Sequence, residues 1–504
     1  MSYLRSKPLI LYFISGVIAA YSVLHASLLF SWLCYIPLFF LLRKASKKYL
    51  FKEGFIFGLG ASVVSFFWMI GAAKEFSGNN VGYGIFITSL SVFWFCIYWS
   101  LLIAIFCFLA INKKIGRWAK AFTIAACFTL GECLLSLCFS QAPYYLFNSG
   151  YGLLNNLYSL QWASFFGLSF LNFVVVLVNV WIAEALTDKN WKTLYTPLIF
   201  ITVIFVGGFM MFSAVKQRTD NNKTIKLAIV SENVPPELHW DRYGGNILAG
   251  RLLSLNRTAQ ALNPDITFWA ECAIPWTYSA DDALIKEILK VSKQSKSTQL
   301  IGCNSEYSKN QVFNSMYGFS SDGKILGRYD KRYLLSFIET PTLGLSVPFF
   351  DLAGSFIKAG GSSKPLVTSV GKAGVIICNE VVNPVATLTV VKEGADFLLN
   401  PSNDGWFKDS YIVELHFLYA RLSAVINRRD IVINSNYGVS SHIKASGEIQ
   451  MKRKSKEMFV QMVDINPTTF DNSRYYSPFV TICFCFIIIS FSLFNIVFHK
   501  KIPF

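Results

Sequence analysis

Runs of about twenty consecutive apolar residues can cross a bilayer only as helices, because hydrocarbon offers no partner to an open backbone N–H or C=O. This chain carries such runs in its first ~215 residues and its last ~30, and nowhere between. With 53% hydrophobic and only 15% charged residues, it is too apolar to be water-soluble throughout. Eight spans are expected, at 8–24, 26–42, 54–73, 84–111, 119–140, 158–186, 195–215 and 478–498. No small-residue cleavage pattern follows the first run, and a second comes at once. The first run is therefore read as a permanent helix and not as a signal peptide.

The connections set the orientation, since Lys and Arg stay on the cytoplasmic side. Arg5 and Lys7 precede the first span, and Arg43, Lys44, Lys47, Lys48 and Lys52 lie between the second and third. Lys113, Lys114, Arg117 and Lys120 flank the turn from the fourth to the fifth, Lys189 and Lys192 follow the sixth, and Lys500 and Lys501 end the chain. With eight spans all of these fall on one side, which puts both termini in the cytoplasm and the polar block of 216–475 outside it. The net charge of +16 then reports topology and attraction to anionic lipid headgroups. No nucleic-acid motif accompanies it, and none of that class of partner is expected. The expected domains are 1–215 with seven spans, 216–475 outside the membrane, and 476–504 with the last span and a cytoplasmic tail.

The polar block alternates short strands such as "KLAIV", "ITFWAE", "TQLIGCN", "GVIIC", "ADFLLN" and "DIVINSN" with amphipathic stretches at 282–292 and 412–427. That alternation predicts a layered α/β domain. Eight of the eleven cysteines lie in apolar spans and read as small helix side chains. Cys272, Cys303 and Cys378 remain, an odd number in an oxidising compartment, where a leftover thiol is a candidate for reactivity.

The five histidines are dispersed, and the HExxH, paired CxxC, GxSxG and GxxxxGKS patterns are absent. Metal and cofactor are therefore not expected, and cofactor-free nucleophilic catalysis is. Three strand ends carry the right chemistry: Glu271 in "ITFWAECAIPW", Lys331 in "GRYDKRYLLSFIE" and Cys378 in "GVIICNE". A carboxylate can take a thiol proton, and an ammonium can favour the thiolate and then hold an oxyanion. On strand pattern alone the alternatives stay open. Cys378 reads as well as a core cysteine, Glu271 as a solvated strand end or helix cap, and Lys331 as a surface lysine.

The order "WAE…IPW", "YDK", "ICNE" and "NPSNDGWF" resembles the nitrilase superfamily, and seven spans before such a domain with one after resemble its membrane-anchored branch, the apolipoprotein N-acyltransferase family. The resemblance implies an αββα sandwich on a polytopic anchor in the bacterial inner membrane, with the catalytic domain periplasmic. It implies an acyltransferase with Glu271 as base, Lys331 at the transition state and Cys378 as acylated nucleophile. Glu339 stands at the spacing of the family's second essential glutamate, and Glu380 matches the carboxylate two after the nucleophile. Trp240 fits a tryptophan on an arm near the substrate, or an interfacial anchor. Asn403, Asp404, Trp406 and Phe407 fit a strand-end loop. Asn379, Ser336 and Ile338 stand where many members carry tyrosine, proline and glycine.

The implied reaction is ping-pong: a phospholipid acyl group passes to Cys378 as a thioester, then to the α-amine of a diacylglyceryl-modified apolipoprotein. Phospholipid donor, apolipoprotein acceptor and membrane lipid are the expected partners, and a monomer the expected state. Two rivals stay in view, a membrane-tethered nitrilase-type amidase and a non-catalytic binding protein. Glu132, inside the fifth span, reads either as a functional carboxylate or as an interhelical hydrogen-bonding group.

Overall fold

The computed structural model describes residues 3–43, 45–76, 80–110, 116–219, 224–234, 244–336, 338–340, 356–405, 407, 410–454, 457–468 and 476–498. Contacts divide the chain into two units, one of Met1–Ser140, Tyr144–Phe212 and Tyr475–Phe504, the other of Gln141–Pro143 and Ser213–Arg474.

In the first unit, five helices among the described residues are long and apolar enough to cross a membrane: Val81–Ala110, Arg117–Cys138, Ser159–Thr187, Trp191–Lys216 and Phe479–Val497. The other three expected spans fall on shorter pieces. Apolar helices run over Leu9–Leu24 and Leu28–Leu42, and the expected span 54–73 is divided between helices Leu50–Phe66 and Met69–Phe76. Hydropathy reads a run of apolar residues and is blind to backbone breaks within it, such as that at Gly167, whose φ of 73° kinks the helix Ala163–Thr187.

Glycine also sets a helix contact. A Cβ at Gly16 or Gly60 would run into the carbonyl of Phe57 or of Phe13, so the helices Tyr3–Leu24 and Leu50–Phe66 approach backbone to backbone. Glu132 is fully buried on helix Arg117–Cys138. Its carboxylate accepts the Ser149 N–H at 3.2 Å and the Ser149 hydroxyl, which also lies 2.9 Å from Tyr35 Oη. Asn172 Nδ2 donates to Asn148 Oδ1 at 2.8 Å, and Asn172 Oδ1 accepts the Gly150 N–H at 2.9 Å. Glu132 and Asn172 together tie the segment 148–150 to helices Arg117–Cys138 and Ala163–Thr187.

The second unit is built on two sheets. Among the described residues one has eight strands, its main path running Phe459–Ile465, Ile225–Ser231, Ile266–Trp269, Thr298–Ser308, Gln311–Phe319 and Ile325–Asp330. The other has six: Ile449–Lys454, Val439–Ile443, Ile431–Asn436, Phe397–Asn403, Lys372–Val375 and Leu366–Val367. Side chains alternate across each strand. Leu227, Ile229, Phe268 and Leu300 join Val375, Phe397, Leu399 and Val432 of the other sheet in one buried cluster. Ala228, Val230, Trp269 and Ile301 instead meet Leu252, Leu255 and Ala259 of helix Gly244–Ala261 and Ile285 and Ile288 of helix Ala283–Ser295. Asn434 Nδ2 stitches the sheets together, donating to the carbonyls of Val230 at 2.7 Å and Phe268 at 2.9 Å.

Candidate active site

Three strand ends converge on one buried cluster. Strand Ile266–Trp269 runs out at Ala270, which leaves Glu271 past the last rung, 7% exposed. Strand Ile325–Asp330 delivers Lys331, 1% exposed, whose N–H donates to the Asn314 carbonyl at 2.8 Å. Strand Lys372–Val375 ends in the tight turn Cys378–Val382, and Cys378 opens that turn at φ 52°. Left-handed backbone is uncommon for a residue with a Cβ, and where it is held it turns a side chain sharply off the strand direction. Asn400 Nδ2 holds this turn, donating to the carbonyls of Ile376 at 2.6 Å and Cys378 at 3.2 Å.

Lys331 is the hub. Its Nζ donates to Glu339 Oε1 at 2.8 Å and Glu271 Oε1 at 3.3 Å. Glu271 Oε1 also accepts from Asn314 Nδ2 at 2.8 Å, and Glu339 Oε2 accepts the Leu335 N–H at 2.7 Å. The Glu339 N–H returns to the Leu335 carbonyl at 2.8 Å and Ser336 bridges Thr340, so the stretch that carries Ser336 and Ile338 is a closed turn around Glu339.

The electrostatics follow from this packing. Burial raises the Glu271 carboxyl, and the Lys331 ammonium pulls it back. Burial alone would lower Lys331, but the charges of Glu271 and Glu339 outweigh it and hold the amine well above the lysine range. The Cys378 thiol is pushed well above its ordinary value, first by burial and then by Glu271, against the opposing pull of Lys331. The resting site therefore holds a neutral thiol, an ammonium and a poised carboxylate.

The supporting residues separate by what they touch. Glu380 is fully buried and does not face the Lys331 ammonium with a free oxygen. Its carboxylate accepts the backbone N–H groups of Arg332 at 2.7 Å, Tyr333 at 3.0 Å and Ile377 at 2.6 Å, and the Tyr329 hydroxyl at 3.0 and 3.1 Å. It fastens the loop of Lys331 to the strand end that carries Cys378. Asn403 Oδ1 accepts from the Gly405 N–H and from Asn436 Nδ2, both at 3.3 Å, which makes it a loop anchor. Asp404, which acts electrostatically on Cys378, is gripped by His416 Nδ1 at 2.7 Å and the Ser435 hydroxyl at 2.8 Å. Phe407 stands edge-on to His416. Trp240 and Trp406 lie outside the described residues. Asn314 and Asn400 escaped the sequence reading, since each is one amide inside an ordinary strand. "NPSN" held the one signal, a polar run with a proline closing a strand that begins apolar.

Two family models match the chain: the apolipoprotein N-acyltransferase N-terminal domain over 15–181 and carbon-nitrogen hydrolase over 227–475. The apolipoprotein N-acyltransferase of Geobacter metallireducens is 23% identical over 83% of this chain and 82% of its own. That of Haemophilus ducreyi is 24% identical over 89% of this chain and 88% of its own. A solved carbon-nitrogen hydrolase from Helicobacter pylori superposes with a TM-score of 0.38 at 15% identity, covering 55% of this chain and 99% of its own.

Proposed function

The chain belongs to the apolipoprotein N-acyltransferase family, an acyltransferase with a carbon-nitrogen hydrolase domain, and from that membership we propose how this site acylates apolipoproteins. Cys378 is the nucleophile, Glu271 the base, Lys331 the oxyanion-stabilising cation, and the acyl donor is a membrane phospholipid. The observation that carries the reading is the Lys331 ammonium shared between Glu271 and Glu339 beside a buried thiol on a strained turn.

Because burial raises Glu271 as well as opposing ionisation of Cys378, the proton passes to the carboxylate as the sulfur attacks the ester carbonyl. Lys331 meets the negative charge that develops on the carbonyl oxygen. The tetrahedral intermediate collapses, Glu271 returns the proton to the departing glyceryl oxygen, and a thioester and a lysophospholipid result. The α-amine of the diacylglyceryl-cysteine then attacks the thioester. Glu271 takes its proton, the amide forms and the thiol is restored. A buried site keeps water from the thioester, which separates transfer from hydrolysis.

The same reading extends to the architecture. Four layers, αββα, are supported by one cluster shared between the two sheets and another between a sheet and two helices. Eight spans with cytoplasmic termini and a periplasmic catalytic domain, bounded at 215 and 476, are supported by the placement of Lys and Arg. Asn403, Glu339 and Glu380 act as supports, Trp240 and Trp406 as substrate contacts, and the working unit is a monomer.

Intact-mass measurement of the full chain after incubation with phospholipid tests this directly. A fatty-acyl increment seen in the wild type, absent from Cys378→Ala and discharged by a diacylated lipopeptide amine is expected. An increment discharged only by water would point to an amidase instead, and no increment at all would sink the reading.

A further inference from the structure

Glu232 is an anomaly that the proposed mechanism leaves unused. It is 3% exposed, and neither carboxylate oxygen has a hydrogen-bond partner among the described residues. The Oδ1 of the next residue, Asn233, is also buried without a partner. Buried acceptor oxygens left without a hydrogen-bond partner, on two successive residues, cost folding free energy unless a donor arrives. Burial pushes the Glu232 carboxyl up to about 8, against the pull of the backbone N–H groups of Glu232 itself and Ala270, which lie near it without completing a hydrogen bond.

Its place in the fold gives the anomaly a direction. Glu232 follows strand Ile225–Ser231, which pairs in parallel with Ile266–Trp269 up to the rung Val230–Trp269. Two residues beyond that rung stand Glu232 on one strand and Glu271 on the other, both at the carboxyl ends of parallel strands, where α/β domains take their ligands. The turn is fixed: Asn233 has φ 44°, and Asn436 clamps Val234 by accepting its N–H at 2.8 Å and donating to its carbonyl at 3.0 Å. The backbone that carries both side chains is thereby fixed.

We infer that Glu232 and Asn233 dock a primary ammonium group of a substrate, an inference that rests on the acyl-transfer function proposed above. A –NH3+ group offers three donors and a positive charge to acceptor oxygens of which two belong to a carboxylate. Two substrates can carry it: the apolipoprotein's α-amine before it is deprotonated, or the headgroup of an aminophospholipid donor.

The test uses the full chain in detergent micelles. In a Cys378→Ala background, where no turnover occurs, a diacylated lipopeptide with a free α-amine is compared with its N-acetylated form, and phosphatidylethanolamine with phosphatidylglycerol. Glu232→Gln should cut the preference for the ammonium-bearing member of one pair by about ten-fold, and Glu232→Asp should restore part of it. Loss in the lipopeptide pair assigns the acceptor amine; loss in the phospholipid pair assigns the headgroup. In turnover with Cys378 present, the same substitution should raise KM for that substrate with little change in kcat. Glu232→Gln should also melt no lower than the wild type, because it removes an unpaired buried carboxylate. Unchanged preferences in both pairs would overturn the inference, as would loss of both together with a lower Tm, which is the signature of a structural role. A wild type that binds with these preferences but forms no acyl-enzyme would remove the proposed function and leave the ammonium site standing.

Discussion

Lys331 Nζ lies 2.8 Å from Glu339 Oε1, closer than the 3.3 Å to the Glu271 oxygen that it also bonds. The closer contact matters because an ammonium drawn fully onto Glu271 would stabilise that carboxylate as an anion and weaken it as a base. Glu339 shares the cation and, through the Leu335 N–H, ties it to a closed turn. Glu339→Ala should slow acyl-enzyme formation by about a hundred-fold and lower stability by about 2–3 kcal/mol, since it strips a partner from a buried charge. Glu339→Gln should recover most of the stability and less of the rate. Stopped acylation assays and thermal melts read the two separately, and an alanine variant that loads at the wild-type rate contradicts the role.

The thiol's environment predicts how it meets alkylating reagents. Burial and the Glu271 charge raise Cys378, while Lys331 lowers it. Iodoacetamide labelling of Cys378, followed at the peptide level against pH, should therefore have its midpoint above that of an exposed cysteine. Glu271→Gln removes a raising charge and should move the midpoint down; Lys331→Met removes the lowering one and should move it up. Shifts of the opposite sign would mean that neither group faces the sulfur.

The proposed base should titrate on the acidic side. In the proposed mechanism Glu271 must be ionised to take the thiol proton, and burial raises it while Lys331 pulls it down. Acyl loading should fall as pH drops, with a limb above the ordinary carboxylate range. Removing the lysine's charge should carry that limb to higher pH as well as reducing the maximum. A pre-steady-state profile of acylation against pH for the wild type and Lys331→Met gives both numbers. A limb that stays in place would assign the titration to another group.

What the sequence made legible was the chemistry that sits at strand ends. Glu271, Lys331 and Cys378 each follow a strand, and the eight-residue step from Lys331 puts Glu339 on the turn that closes back to Leu335. What stayed hidden depended on pairing in space. Nothing in "FNSMYGF" says that the Asn314 amide reaches Glu271, and nothing in "CNE" says that Glu380 gathers backbone N–H groups and a tyrosine hydroxyl. The shorter helices of the membrane unit were missed for a related reason: a hydropathy run continues smoothly across residues where the backbone turns, as between Leu50–Phe66 and Met69–Phe76.

The Asp404 loop makes a prediction of its own. Asp404 is held by His416 and Ser435, and a Cβ at Gly438 would drive into both the Ser435 hydroxyl and the Asp404 carboxylate. Gly438→Ala should displace the stretch from Asn403 to Asp404, whose charge acts on Cys378, lowering acyl loading several-fold while the sheets keep their fold. Loading at the wild-type rate in a well-folded Gly438→Ala protein would show that this loop does not bear on Cys378.

Glu380 gives the sharpest separation of stability from chemistry. Three backbone N–H groups and the Tyr329 hydroxyl converge on a carboxylate with no exposure, and burial raises it even against those donors. Glu380→Ala leaves all four donors without a partner in a dry site, at a cost of about 3–5 kcal/mol. Tyr329→Phe removes one neutral donor and should cost about 1 kcal/mol. Because these bonds join the lysine's loop to the strand of Cys378, acyl loading in the two variants should fall in the same order as their melting temperatures. If Glu380→Ala melts like the wild type yet fails to load, the carboxylate acts on substrate and the fastening role is wrong.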